Sequence, residues 1–312
     1  MRRGRGTAVV VALLAAALAA AGCGLGPGAS VGSVQLTVTR NFGAVPMLER
    51  SLDANESDTV MRLLEGSAHV TTRYGGGYVS SIEGVAEEER GGHPYDWFYY
   101  TDGNETPIGA ADAAVRDGER IWWDYRDWSA TEHVPAVVGS WPAPFAHGYE
   151  GHLRPTELEC EGGGGACGAV WAALESAGAK LPVGAGGGNA AAGEAIRVLV
   201  GPWARIRNDP AAAQIERGPQ ASGVFAEFGR RGGRYALRAL DENGDPGRWL
   251  GQEAGLVAAT RRFEEPPVWV VTGATPSGVR AAATLLRGSL LRDHYAVAIE
   301  GKLVMPLPVP AR

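Results

Sequence analysis

The chain of 312 residues carries 29 Lys and Arg against 35 Asp and Glu, a net charge of −6 with histidine neutral. Removing the three arginines of the first 23 residues, which hold no acid, takes this to −9, and no basic run follows. That balance argues against a nucleic-acid partner, and the length is ample for two domains with cores of their own.

Residues 1–23 read as an export signal. Arg2, Arg3 and Arg5 precede the unbroken apolar run Thr7–Ala21, and small residues lead to Gly22-Cys23. The run is short for a transmembrane helix. Its end resembles a bacterial lipoprotein signal, although Ala20 stands where Leu is usual. The resemblance implies lipid on the Cys23 thiol, cleavage just before it, and an extracytoplasmic protein anchored to the cell membrane. Ordinary signal cleavage with Cys23 as a spare thiol is the alternative. Glycine-rich residues 24–32 would then be a flexible tether.

A first domain is expected over residues 33–128. Val34–Val38 alternates as a strand does. Ser57 or Asp58 can cap a helix through Thr59–Leu64 that ends at Gly66, with Val60, Leu63 and Leu64 at helical spacing. Strands follow at Ala68–Thr72 and Gly77–Ile82, then an acidic loop at Ala86–Gly92. The most telling stretch is Asp96–Trp128, with aromatic runs at Trp97–Tyr100 and Ile121–Tyr125. Trp97 and Tyr99 share one strand face and Phe98 and Tyr100 the other. Neither strand has a polar face, so a second protein layer or a flat, partly apolar ligand must cover each side. The order of elements predicts an α+β fold, a small β-grasp-like mixed sheet crossed by one helix.

Residues 129–155 are rich in Pro, Gly and His and read as a connector, with one candidate strand at Val134–Val138. Residues 156–312 form a separate α/β domain in this reading. Helices are expected at Gly168–Ala177, from Asp209-Pro210 to Glu216, and from Ser277 to about Leu291. Strands are expected at Ile196–Val200, Val224–Phe228, Tyr235–Leu240, Val268–Val271 and Tyr295–Ile299. Gly184–Gly193 is a low-complexity linker. Cys160 and Cys167 close a glycine loop, and an oxidising compartment favours a disulfide over zinc.

Four blocks carry a family resemblance: Thr59–Leu64, Gly77–Gly84, Trp97–Gly103 and Gly109–Tyr125. In that order they resemble a bacterial family related to the cobalamin-binding C-terminal domain of transcobalamin and intrinsic factor. The resemblance covers about a third of the chain and implies a corrinoid, or a similar large amphipathic molecule, as ligand. Tyr78, Trp97, Tyr99 and Trp122 are the candidate ligand-binding aromatics. The eukaryotic relatives also use a helical domain, and no helical barrel is expected in this sequence.

Enzymatic signals are sparse. No G-x-S-x-G elbow occurs, and Ser222 is its nearest imitation. Val268–Gly278 lacks the nucleotide-binding glycine patterns. No metal site is expected. Among His133, His147, His152 and His294, one could offer an imidazole to a bound cobalt. The expected function is therefore ligand capture by a lipoprotein, with cobalamin as ligand rather than covalent cofactor, for delivery to a vitamin transporter. The alternatives are an envelope protein binding protein or polysaccharide through its aromatic surface, and a hydrolase in the C-terminal domain.

Overall fold

The computed structural model describes residues 28–148, 150–162, 164–182, 193–263 and 265–311. Strand makes up 42% and helix 17%, so a mixed, largely β fold is built from several sheets. Cys23 and the export segment lie outside the described residues, as does all of the Gly184–Gly193 linker except Gly193. Among the described residues no helix is long and apolar enough to cross a membrane.

The chain opens with a long hairpin, β1 (Ser30–Arg40) and β2 (Val45–Asn55). The last three residues of the expected tether are thus already strand. A helix follows at Val60–Glu65, then β3 (Val70–Arg73), β4 (Tyr78–Ile82), β5 (Val85–Ala86), β6 (Glu88–Arg90), β7 (His93–Thr101), β8 (Asn104–Glu105) and β9 (Arg120–Asp127). The main sheet has the order β2-β1-β9-β7-β6, with β8 on β7. Its central β1/β9 pair is parallel and its other pairs are antiparallel. β3, β4 and β5 form a small sheet of their own.

The helix cap is Thr59, whose Oγ1 accepts from the Arg62 N–H at 3.3 Å. Neither expected cap takes that place. Asp58 instead accepts from the Asn55 N–H at 2.8 Å and holds the end of β2. The acidic segment at 86–92 is partly strand, because β6 adds an edge to β7.

After the connector come β10 (Thr156–Cys160), a helix at Gly165–Ser176, β11 (Ile196–Pro202), β12 (Ala226–Arg231), β13 (Arg234–Leu240), β14 (Pro246–Trp249), β15 (Gly255–Thr260) and β16 (Val268–Gly273). A helix at Pro276–Ala283 precedes β17 (Ala296–Glu300) and β18 (Leu303–Leu307). The large sheet runs β10-β11-β16-β15-β17-β18, parallel over its first three strands and antiparallel beyond. β15 and β16 are buried along their whole length, as their apolar runs GLVAAT and VWVV demand. β12, β13 and β14 make a separate antiparallel sheet.

Three local expectations change in this half. Val134–Val138 forms no strand, only a bridge between Ala136 and Asn104. The Asp209 carboxylate accepts from the Ala211 and Ala212 N–H groups at 2.8 and 3.1 Å, and the segment then tightens into a 3-10 turn at Ala212–Arg217. The later helix is capped by Thr275 rather than Ser277 and stops at Ala283, well short of Leu291.

Two layers enclose the main N-terminal sheet. The Val60–Glu65 helix and the β3–β5 sheet pack on one face, burying Val34, Leu36, Val38, Ile121 and Trp123 together with Val60, Leu64, Val79 and Ile82. The opposite face meets the C-terminal half in a shared core of Phe42, Tyr100, Trp122, Phe225 and Tyr295. Phe42 lies 5.1 Å from both Phe225 and Tyr295, and Tyr295 sits edge-on to Tyr100 and Trp122 at 5.7 and 5.4 Å. Gly139 permits this approach, because a Cβ there would fall 2.7 Å from the Trp122 ring and from the His294 backbone.

Polar groups in the seam are paired around Asp124. Its carboxylate accepts from the Thr39 hydroxyl at 2.5 Å, the Gly43 N–H at 3.1 Å and the Tyr295 hydroxyl at 3.0 Å. Thr39 in turn accepts from the Trp122 indole at 2.8 Å. Arg126, also buried, stacks 3.8 Å over Phe98 and donates to the carbonyls of Thr131 and Glu132.

Candidate functional site

The register of β7 on β9 decides where the four candidate aromatics go. Trp97 opposes Tyr125 and Tyr99 opposes Trp123 on the helix side, while Tyr100 opposes Trp122 on the seam side. Trp122 is wholly buried and Trp97 only 6% exposed. The Trp97 indole donates to the Val85 carbonyl at 2.9 Å. Protein therefore covers both tryptophans. Their expected place on a ligand-facing surface gives way to a place in two cores, because the helix layer takes one face and the C-terminal half the other.

Tyr78 and Tyr99 are half-buried at the margins. Tyr99 stacks on Trp123 at 4.9 Å and donates its hydroxyl to the carbonyl of Ile108, itself 52% exposed. The Tyr78 hydroxyl lies between Asp96 and Glu87, the latter at 2.7 Å. One phenol proton cannot serve two carboxylates at once. Burial, reinforced by these two acids, holds the Tyr78 hydroxyl in its protonated form, and burial also raises Asp96 above the usual carboxylate range. Tyr74 stands edge-on to Tyr78 at 6.0 Å and is 87% exposed.

A cleft of about 580 Å³ opens where the end of β8, the connector and the end of β15 meet. Glu105, Thr106 and Pro107 line one side, His133 and Pro135 the second, and Arg261 and Phe263 the third. The first two walls are tied by backbone bonds from Glu105 to the Pro135 carbonyl and from Val137 to the Gly103 carbonyl. His133 Nδ1 lies 3.0 Å from the Glu105 carboxylate. The Arg261 side chain is almost wholly buried and donates to the Glu265 carbonyl at 2.7 Å and to Glu150 at 2.9 Å. Phe263 is the anomaly of this wall. It is 86% exposed and sits at φ +50°, a conformation that costs a bulky side chain free energy. The cleft offers proline and phenyl surfaces beside one carboxylate–imidazole pair, a mixture suited to holding an amphipathic molecule.

No motif marks these residues in the sequence. The one signal is the setting of Phe263, an aromatic followed by Glu264-Glu265-Pro266-Pro267, where the prolines stop any strand from continuing. The remaining constellations are placed as follows. Cys160 and Cys167 form a disulfide across the turn from β10 to the next helix. Ser222 is fully buried, donates to the Gly218 carbonyl and accepts from the Val224 N–H. His147 and His152 are exposed on the connector. Burial lowers the pKa of His294. Among the described residues no group of three or more His, Cys, Asp or Glu is placed to hold a metal ion.

Comparison with known families matches residues 57–127 to a model described as Domain of unknown function (DUF4430), a transcobalamin-like family. That span contains all four sequence blocks on which the resemblance rests. Among solved structures, the chain is similar to "a putative metal binding protein from Ruminococcus gnavus ATCC 29149", at 12% identity and a TM-score of 0.24, over 31% of this chain and 97% of that one. No curated protein matches.

Proposed function

We propose that this protein is an extracytoplasmic, lipid-anchored binding protein whose cleft around Phe263 takes a large amphipathic ligand, with cobalamin or another corrinoid as the leading candidate and a vitamin transporter as the recipient. The observation that carries the reading is Phe263 itself. A phenyl ring held in solvent at positive φ, with the Arg262 guanidinium 6.0 Å from its centre, adds little to the folded chain, and such local cost is a mark of binding sites. Pro107 and Pro135 extend the apolar surface of the cleft, and His133 supplies an imidazole there for a bound cobalt. The transcobalamin-like match supports the ligand class.

In this reading residues 33–128 are a β-grasp-like domain, supported by the β2-β1-β9-β7 order with its central parallel pair and single helix. Residues 129–155 connect it to a C-terminal domain over 156–312, and Cys23 bears the lipid.

The test is calorimetry with cobalamin on the parent and Phe263→Ala, beside thermal melts. Removing the phenyl contact should weaken binding roughly tenfold or more. The melting temperature of the Phe263 variant should stay unchanged, because the ring packs on little. Absence of heat from the folded parent at micromolar concentrations, or unchanged affinity in Phe263→Ala, overturns the reading. One observation favours the alternative of an envelope-interaction protein. The solvent-exposed Tyr74 beside Tyr78 is an aromatic patch fit for a protein or polysaccharide partner, and Tyr74→Ala would then weaken envelope association while cobalamin gives no signal.

A further inference from the structure

One stretch of this acidic chain is locally basic, and the fold places it at the tip of a hairpin. Between Phe228 and Leu240 the chain holds four arginines and no acid, against a net charge of −6 overall. β12 and β13 join through Gly232-Gly233, both at positive φ, in a tight two-residue turn. A Cβ on either glycine would meet nothing within 4 Å, so the tip stands clear of the body of the protein.

Arg230, Arg231 and Arg234 ring this tip, all exposed. Arg231 and Arg234 are direct cross-strand partners, an arrangement in which like charges repel. None of the three pairs with a carboxylate among the described residues. Their neighbours at the base of the hairpin behave otherwise: Arg207 pairs with Glu216, Arg238 with Glu227 and Arg248 with Glu300. The fold neutralises the arginines at the base and leaves those at the tip bare.

Aromatic rings set the tip guanidinium groups. Arg230 lies 4.5 Å over the Tyr235 ring on one face of the ribbon. On the other face Arg231 lies 5.5 Å from the Trp249 ring, which rests where any side chain at position 229 would collide with it, 2.6 Å from a Cβ there. Arg230 also donates one N–H to the Gly233 carbonyl at 2.9 Å, which fixes it across the turn, and a stacked guanidinium still has further N–H donors to offer a phosphate.

We propose that the Arg230–Arg234 hairpin is a docking tip for the phosphodiester headgroups of an anionic lipid surface. The tip is convex and carries its charges on both faces of a two-stranded ribbon. A plane of many phosphates can meet all three guanidinium groups together. A single soluble anion on one face leaves the others unmatched. Tyr235 and Trp249 behind the charges suit the headgroup level, where such rings collect. The proposal uses neither the cleft nor lipid on Cys23, so it stands or falls separately from the reading above.

The test uses the full chain carrying Cys23→Ser, with and without the triple change Arg230→Gln, Arg231→Gln, Arg234→Gln. Both are sedimented at low salt with phosphatidylcholine vesicles that contain or lack phosphatidylglycerol. The segment Met1–Cys23 is otherwise common to both proteins, so the difference between them reports the hairpin. The triple change should weaken partition to the phosphatidylglycerol vesicles about a hundredfold, at roughly one surface-adjacent charge per arginine. Added salt should shrink the difference. The variant should melt no lower than the parent, because a cross-strand repulsion is gone. Equal partition of the two proteins on the anionic vesicles overturns the proposal. So does an equal difference on phosphatidylcholine alone, or a difference seen only with soluble polyphosphate.

Discussion

Asp124 gives the sharpest handle on the seam. Its carboxyl is fully enclosed, and burial raises its pKa from 3.8 to about 6, although the Thr39 hydroxyl, the Gly43 N–H and the Tyr295 hydroxyl all donate to it. In the unfolded chain the same group titrates near its ordinary value. The gap of about two units corresponds to a stability difference on the order of 3 kcal/mol. The folded state holds the proton more tightly, so this contribution is fully present below about pH 4 and is lost as the pH rises through about 6. Asp124→Asn keeps the shape and cannot titrate. Its amide can turn its oxygen toward Thr39 and Gly43 and its NH₂ toward Tyr295, whose hydroxyl can accept. Denaturant unfolding of both proteins, repeated from about pH 4 to about pH 8, isolates the group, because every other titrating side chain is common to the pair. Stability of the parent relative to the variant should fall with rising pH across that window and then level off. A flat difference curve, or one in which the parent gains on the variant as pH rises, would refute the assignment of a buried, proton-retaining carboxyl to this seam.

Trp122→Ala and Trp97→Ala should each cost about 3–5 kcal/mol, as deletion of a fully packed indole does, and should be read from the denaturation midpoint. A loss under about 1 kcal/mol for Trp122 would mean that the two halves do not pack on it. Cys23→Ser should move the protein from membranes washed in high salt, which screens any binding through surface arginines, to the soluble fraction, and retention on such membranes without detergent would exclude Cys23 as the anchor.

The sequence announced the strands of the first 130 residues unevenly, and the reasons are local. β1 is legible from its alternation and β9 from its dense aromatic content, which marks a strand even where both faces are buried. β2 is not, because its sequence VPMLERSLDAN mixes charge and Leu without a clean period, as an edge strand with little buried surface allows. β10 and β15 carry no clear strand signal, for opposite reasons. Thr156–Cys160 alternates with acids at a sheet edge, whereas Gly255–Thr260 is small and uniformly apolar, which periodicity alone cannot assign. Helix caps were displaced by one or two residues, since Ser, Asp and Thr are chemically equivalent candidates and only backbone geometry chooses. The cleft was illegible for a stronger reason. Its walls come from positions near 105, 133 and 262, and nothing in the chain says that these meet.

Of the two covers that the aromatic density of β7 and β9 allows, a second layer of protein or a ligand, the fold supplies the first. A strand with two apolar faces requires cover on both sides, and here the chain supplies it twice over. The Val60–Glu65 helix and the β3–β5 sheet close one side, and Phe42, Phe225 and Tyr295 the other. Residues satisfied in this way report architecture, since their burial already accounts for their presence. Binding capacity is better sought where the fold leaves a cost uncompensated. Phe263 is an apolar ring in water on a disfavoured backbone, and Arg231 opposite Arg234 is a like-charge pair that no carboxylate among the described residues neutralises. Neither adds to the stability of the chain, so each points to something outside it, an apolar surface in the first case and an array of anions in the second.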